Sequence, residues 1–173
     1  TDNYNHKLTY RPVDPPYPKY IGSRDSDKLR RPFRDSHRIK TNYAANFQDI
    51  FVLSALDGKK DGRYLEIGAA EPFKGNNTAL LEEWGWTGIS LELNSDCVNQ
   101  WEGHRKNRII QADALTWDYG VYIEGHYDFL QVDIEPAINS FKVLQKIPWE
   151  KASFDLISFE HDDYLDCDDI RKK

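Results

Sequence analysis

Three glutamates surround a glycine turn and the apolar segment that follows it, in a pattern suited to binding a nucleoside. Glu66 and Glu71 lie on either side of Gly68, and Glu92 ends an apolar segment at residues 87–93, 24 residues after the glycine. In Rossmann-like units, an acid at this separation from the glycine turn accepts hydrogen bonds from the ribose hydroxyls. The spacing therefore predicts a nucleoside site with Glu92 at the ribose.

The elements that would position these acids follow in the order strand, turn, helix, strand. Residues 63–67 predict a short buried strand, and the chain leaves it through a tight turn at Gly68. A helix capped within residues 76–78 would end at Gly85. The second strand then brings Glu92 to the same edge of the sheet as the turn.

The charges around the turn select the kind of nucleoside. A pyrophosphate needs backbone amide donors and a positive helix end, whereas this turn carries Glu66, Glu71 and Pro72, which has no N–H. The next glycine after Gly68 is Gly75, so the G-x-G-x-x-G pattern of dinucleotide sites is missing. S-adenosylmethionine (SAM) carries a sulfonium and an ammonium group and no phosphate. The sequence therefore predicts SAM, not NAD, as the cofactor.

Three more strands and three more helices are predicted in the chain. The additional strands are expected at residues 108–113, 127–134 and 154–159, and the additional helices at 43–56, 95–105 and 138–147. This alternation predicts an α/β fold with a doubly wound, mostly parallel sheet like that of class I SAM methyltransferases. Few residues follow the fifth strand, so we expect the C-terminal strand hairpin of that fold to be lacking. The fifth strand would then be an edge, open to pairing with a second copy as a homodimer.

Four stretches of the chain share their order and spacing with a known family. They are Leu65-Glu66-Ile67-Gly68-Ala69, the segment from Asn77-Thr78 to Glu92, Asp128 to Glu135, and Phe154 to His161. These stretches resemble the FkbM-type SAM-dependent methyltransferases, over about residues 43–165. The resemblance implies methyl transfer from SAM to a hydroxyl group of a small molecule or a glycan. Pro136 stands where the family usually has glycine, which alters the loop where substrate often sits.

The methionine half of the cofactor is assigned to the turn after the first strand, because open α/β sheets bind ligands at the carboxyl ends of their strands. Gly68, Ala69 and Glu71 are predicted to line the methionine part. Glu66 is predicted to lie near the ammonium group.

The nucleoside half is assigned to the ends of the second and third strands. Glu92 is predicted to take the ribose hydroxyls, with Leu93 and Asn94 beside the adenine. Asp113 with Ala114 is predicted to reach the adenine amino group.

Polar side chains also end the fourth and fifth strands, where the acceptor would react. Methyl transfer is mainly a matter of positioning, but a hydroxyl acceptor must also lose its proton to a base or a metal-bound group. His161 is the predicted base, because imidazole titrates near neutral pH, and Asp133 is the second catalytic candidate. Asp133, Glu160 and Asp162 are alternatively candidates for an Mg²⁺ site, or the whole cluster is a solvated acidic rim.

Composition divides the chain into two parts. Residues 1–42 are expected to form a basic arm rich in proline and tyrosine, and residues 43–173 a SAM-binding domain that is either truncated at its C-terminus or a reduced version of the fold. The arm is expected to wrap the domain or to be disordered. No segment has the apolar length of a membrane span, and the N-terminus is not a secretory signal, so a cytoplasmic location is expected.

Two other functions compete with an O-methyltransferase. The short C-terminus and Pro136 favour a non-catalytic SAM-fold module for binding or interaction. Asp14-Pro15-Pro16-Tyr17 matches the motif of nucleic-acid amino-methyltransferases, but the preceding residues 7–13 are too polar and proline-broken for a central strand. The sequence pI of about 5.4 also argues against nucleic acid as a partner.

Overall fold

The computed structural model describes residues 33–39 and 41–161. Within them, five strands form one parallel sheet in the order β3-β2-β1-β4-β5. The strands are β1 Arg63–Ile67, β2 Thr87–Glu92, β3 Arg108–Gln111, β4 Gly125–Val132 and β5 Ala152–Phe159. This order confirms the predicted α/β, Rossmann-like fold, in which β1 and β4 are central and the crevice for ligands lies at the carboxyl edge.

Helices cover both faces of the sheet, as a doubly wound fold requires. They are α1 Gln48–Ala55, α2 Ala79–Glu83, α3 Ser95–Trp101, α4 Tyr119–Tyr122 and α5 Ala137–Leu144, with a 3₁₀ turn at Ser36–Arg38 before them. One apolar cluster joins α1 and α2 to the sheet through Ile50, Leu53, Leu81, Tyr64 and Phe129. A second cluster joins α4 and α5 to the sheet through Tyr119, Val143, Leu65, Leu130 and Val132.

Helices α1, α3 and α5 are shorter than the sequence predicts, and for α1 and α3 the structure shows a local reason. Helix α1 begins at Gln48 because the buried carboxylate of Asp49 accepts hydrogen bonds from the amides of Tyr43 and Ala44, which folds that segment into a turn. Helix α3 ends at Trp101, since Glu102 is extended and Gly103 has a φ of 74°. Residues 102–105 therefore lie beyond the helix.

Most of the predicted basic arm lies outside the described residues, and so do Asp14-Pro15-Pro16-Tyr17 and Asp162. Residues 162–173, which follow the fifth strand and bear on the expected lack of a C-terminal hairpin, are also outside them. The described part of the arm packs on the domain: Phe33 is buried and meets the ring of Trp84 edge-on. Among described strands, β5 pairs with β4 alone and so forms an edge; a homodimer through it stays a prediction. None of the helices within the described ranges has the length and apolar character needed to cross a membrane.

Candidate functional site

The turn after β1 is held tightly between the ends of β2 and β4. Gly68 has a φ of 84°, and a Cβ at this position would overlap the backbone oxygen of Asp133. The amides of Gly68 and Ala69 both donate to the carbonyl oxygen of Leu91, over 3.0 and 3.1 Å. The predicted tight turn is therefore present, and only glycine fits at its first position.

Glu92 ties this turn to the one after β2. Its two carboxylate oxygens accept hydrogen bonds from the amides of Ala70 and Asn94, each over 2.7 Å. The carbonyl oxygen of Ala70 accepts a further hydrogen bond from the indole of Trp101, over 3.0 Å. The acid predicted to take the ribose thus lies at the crevice, between the two turns expected to hold the methionine and adenine parts.

The rest of the loop after β1 is organised by the side chain of Asn76. Its amide nitrogen donates to the carbonyl oxygen of Ala69 over 3.0 Å, and its side-chain oxygen accepts from the amides of Thr78 and Ala79. Asn76 therefore caps α2 and also fixes the residue after Gly68. The sequence predicted a cap within residues 76–78 but did not predict this second contact.

Glu66 lies in the interior, below the turn. It is 1 % exposed, and one of its oxygens accepts hydrogen bonds from the hydroxyls of Thr78 and Ser90, over 2.8 and 2.7 Å. The other oxygen accepts no hydrogen bond from the described residues. Burial raises the pKa of Glu66 to about 7, against the lowering effects of its hydrogen bonds and of the Arg105 charge. Its contact with a ligand ammonium stays a prediction.

Acidic side chains surround the first turn of α3, next to the loop. Burial raises the pKa of the Cys97 thiol, and the negative charges of Glu92, Glu71 and Asp96 raise it further. These three carboxylates therefore act on one point beside the crevice. Such a field favours a cationic ligand and opposes a phosphate.

The end of β2 and the loop after β3 form the side predicted for adenine. Leu93 is 65 % exposed, and Asn94 caps α3 by accepting a hydrogen bond from the amide of Asp96. Asp113 is exposed and its carboxylate accepts from the amide of Leu115.

Strand β3 ends at Gln111, earlier than predicted, and the chain turns directly after Asp113. Ala114 is buried. The adenine contacts of Asp113 and Ala114 stay predictions.

Asp133 and Glu160 meet at the predicted reaction end of the sheet. The amide of Asp133 donates to the carbonyl of Ile67 over 2.9 Å, and the amide of Glu160 donates to the carbonyl of Val132 over 3.0 Å. His161 is half-buried, with its ring 6.0 Å from that of Phe159. The structure thus places the end of β4 beside the glycine turn and the end of β5 beside that of β4; the catalytic roles of Asp133 and His161 stay predictions.

The metal predicted at Asp133 and Glu160 finds no support. Within the described ranges, the group of His, Cys, Asp and Glu side chains that could hold an ion is His126, Asp128 and Asp155. These residues lie at the other end of the sheet, and Asp128 is already paired with Lys59. Asp162, the third residue of the predicted site, is outside the described residues.

The donors of the turn fit a nucleoside without phosphate. The amides of Gly68, Ala69 and Ala70 all donate to acceptors within the protein, and Pro72 has no amide hydrogen. A pyrophosphate would need those amides. A ligand with an ammonium, a sulfonium and ribose hydroxyls would instead find carboxylate oxygens, those of Glu92 among them.

Comparison with known proteins gives little beyond this geometry. No family model matches the sequence, and no curated protein matches it. A structural search finds a TehB-like SAM-dependent methyltransferase from Corynebacterium glutamicum with 11 % sequence identity and a TM-score of 0.43. The match covers 62 % of this chain and 60 % of that one, so the chain spans about three fifths of that protein's length. The fold assignment rests on strand order and register, and the FkbM family resemblance stays a prediction.

Proposed function

We propose that this chain is a SAM-dependent methyltransferase that acts on a hydroxyl group of a small molecule or a glycan. The observation that carries the proposal is the placement of Glu92 between the turn after β1 and the turn after β2. An acid in that position of a 3-2-1-4-5 sheet is suited to ribose hydroxyls. The surrounding carboxylates and the occupied loop amides favour SAM over a dinucleotide.

The turn after β1 would bind the methionine part of the cofactor, and the end of β2 would bind its ribose and adenine. Gly68 and Ala69, with Glu71, would line the methionine part, and Glu66 would face its ammonium group. Each carboxylate oxygen of Glu92 has a lone pair beyond the one used by a backbone amide, so it can also accept from a ribose hydroxyl. Leu93 would supply apolar surface to the adenine.

The chemistry at the ends of β4 and β5 would be proton removal and positioning. When bound, SAM supplies a methyl group made electrophilic by its sulfonium. The protein must hold the acceptor hydroxyl in line with that methyl group and accept its proton. His161 is the proposed base and Asp133 the group that orients the acceptor. A divalent ion remains a weaker alternative, because the described residues there do not form a ligand set.

Calorimetric titration with S-adenosylhomocysteine (SAH) tests the cofactor site. We expect binding in the micromolar range, weakened at least tenfold in Glu92→Ala. The matched control is Asp155→Ala, which removes a half-exposed carboxylate from the opposite end of the sheet and should leave SAH affinity unchanged. Unchanged binding in Glu92→Ala would remove the basis of the proposal.

Turnover is tested separately, by following SAH release from SAM over a panel of hydroxyl acceptors. Release that is lost in His161→Ala, with SAH binding retained, would support the methyltransferase and the assigned base. SAH binding without turnover on any acceptor would favour the non-catalytic module.

A further inference from the structure

We infer that Arg105 is a positioning residue that holds the loop after β1 in its cofactor-binding shape. The inference rests on the proposed function, and it adds a residue that lies outside the turn and outside the strand ends. Arg105 follows α3 in the chain, and its contacts lie on the loop after β1 and on α2.

The guanidinium of Arg105 is almost fully enclosed, with 2 % of its side chain exposed. Toward the loop, one nitrogen donates to the carbonyl of Pro72 over 2.8 Å and to the side-chain oxygen of Asn76 over 3.0 Å. The other terminal nitrogen donates to the hydroxyl of Thr78 over 3.1 Å. The first, middle and last parts of residues 72–78 are thus fixed by one side chain.

Two further contacts carry this restraint to the residues next to Gly68. Asn76, which accepts from Arg105, donates in turn to the carbonyl of Ala69. Arg105 also stacks 4.2 Å above the ring of Trp101, whose indole donates to the carbonyl of Ala70. Both residues that follow the glycine are therefore held by side chains that Arg105 contacts directly.

Lysine could not reproduce this arrangement. A buried charge is costly unless it is paired and hydrogen-bonded, and Arg105 meets that condition through Glu82, which accepts from its Nε over 3.1 Å. The planar guanidinium then directs its remaining donors to separate acceptors, whereas an ammonium group is a compact point charge on a flexible stem. Arg105→Lys keeps the charge and removes the geometry.

The charge of Arg105 also acts on Glu66, which gives a second and separate readout. The groups around the Glu66 carboxylate are the hydroxyls of Thr78, Ser90 and Tyr64, the side-chain amide of Asn76 and the guanidinium of Arg105, which is paired with Glu82. Burial raises the pKa of Glu66, and the Arg105 charge opposes that rise. Removing the charge should move the titration of Glu66 to higher pH, an effect that a loss of packing alone would not produce.

The chain offers a matched control in Arg63. Its guanidinium lies 3.9 Å above the ring of Tyr127 and donates to that residue's hydroxyl over 2.8 Å, at the opposite end of the sheet. Arg63→Lys therefore also replaces a guanidinium above an aromatic ring with an ammonium group, but at a position that does not contact the loop after β1.

The experiment measures SAH affinity of the full chain by calorimetry, together with amide hydrogen exchange over residues 69–78 in the ligand-free protein. We expect Arg105→Lys to weaken SAH binding at least tenfold and to speed exchange in the loop, while Arg63→Lys changes neither. Equal affinity in Arg105→Lys and the unmodified chain would overturn the inference. If the unmodified chain itself fails to bind SAH, the proposed function fails, which is a different result.

Two further variants complete the test. Glu82→Gln leaves Arg105 in place but loosens its orientation, and it should weaken SAH binding about threefold. This variant tests the inference if Arg105→Lys does not fold. In that case, an SAH affinity equal to that of the unmodified chain would overturn the inference. Arg105→Met should shift the pH dependence of SAH binding to higher pH, whereas Arg105→Lys should leave it in place. Coincident pH profiles for the unmodified chain and Arg105→Met would contradict the coupling to Glu66.

Discussion

The two ends of the sheet each contain a buried carboxylate, and the two carboxylates differ in their partners. At the amino end, Asp128 is paired with the ammonium of Lys59 and accepts from the amide of Arg63 over 2.8 Å. At the carboxyl end, Glu66 accepts from two hydroxyls and keeps one oxygen without a described partner. Each end also has an arginine above an aromatic ring, Arg63 at one and Arg105 at the other.

The difference separates a stabilising end from a binding end. The ammonium of Lys59 beside Asp128 compensates the buried charge of that carboxylate within the protein. Glu66 instead has its pKa raised to about 7 by burial, which costs stability whenever the carboxylate is ionised. Proteins commonly give up stability at sites that bind or react. The carboxyl end has this property and the amino end does not.

The largest effect is expected from Gly68→Ala. The substitution adds a Cβ that overlaps the backbone oxygen of Asp133 and places alanine at a φ of 84°, so we expect a loss of roughly 4 kcal/mol in unfolding free energy. Gly75→Ala is the control: its φ is 71°, but a Cβ there meets open space, so about 1 kcal/mol should be lost. Urea denaturation of both variants measures the difference, and equal losses would show that the close approach at Gly68 is unimportant.

Glu66→Gln tests the comparison through the pH dependence of the unfolding free energy. The folded pKa of Glu66, about 7, lies above its ordinary value of 4.5, so the folded state holds the extra proton between these two values. Stability is then fully present below pH 4.5 and falls as the pH rises toward 7. Glutamine mimics the protonated acid, and the variant should gain up to about 3 kcal/mol on the unmodified chain between pH 5 and pH 8. Parallel stability curves across this range, measured by urea denaturation, would contradict the raised pKa.

Asp128→Asn tests the amino end. The substitution leaves Lys59 without its partner, and because that lysine is 43 % exposed, water limits the loss of unfolding free energy to about 2 kcal/mol. SAH affinity, measured on the same preparation by calorimetry, should not change. Weaker SAH binding would mean that the two ends are coupled and that the division between them is wrong.

The smallest effect is expected from Trp101→Phe. Phenylalanine keeps the aromatic ring beneath Arg105 but removes the indole hydrogen bond to the carbonyl of Ala70, worth about 1 kcal/mol. SAH affinity should fall about threefold. The control is Trp84→Phe, since Trp84 is also a buried tryptophan whose indole donates to a backbone carbonyl. That carbonyl belongs to Gly58, away from the crevice, so SAH affinity should be unchanged.

The sheet and the positions of Gly68 and Glu92 could be predicted because their signals are local. A short buried strand, a glycine where the chain turns and an acid at the end of the next strand all lie within short segments. Right-handed connections between parallel strands restrict the possible strand orders to a few, and the observed order is one of them. Fold class was therefore accessible from the sequence, and the structure confirms it.

The supporting side chains could not be predicted, because their partners are distant in the chain. Arg105 contacts Glu82, 23 positions earlier, and Pro72, 33 positions earlier. A single arginine after a helix gives no periodic pattern. The expected helix through residue 105 would also have given the backbone at Arg105 a different course from the one observed. The position of Glu66 in a strand was likewise predictable, but the hydroxyls of Thr78 and Ser90 that donate to its carboxylate were not.

The most direct test of a phosphate-free nucleoside site is a pair of calorimetric titrations of the unmodified chain, one with SAH and one with NAD. We predict SAH binding in the micromolar range and no measurable NAD binding, because the loop amides are occupied and Glu71, Glu92 and Asp96 surround the crevice. NAD binding with no affinity for SAH would contradict the assignment of the carboxyl end to SAM.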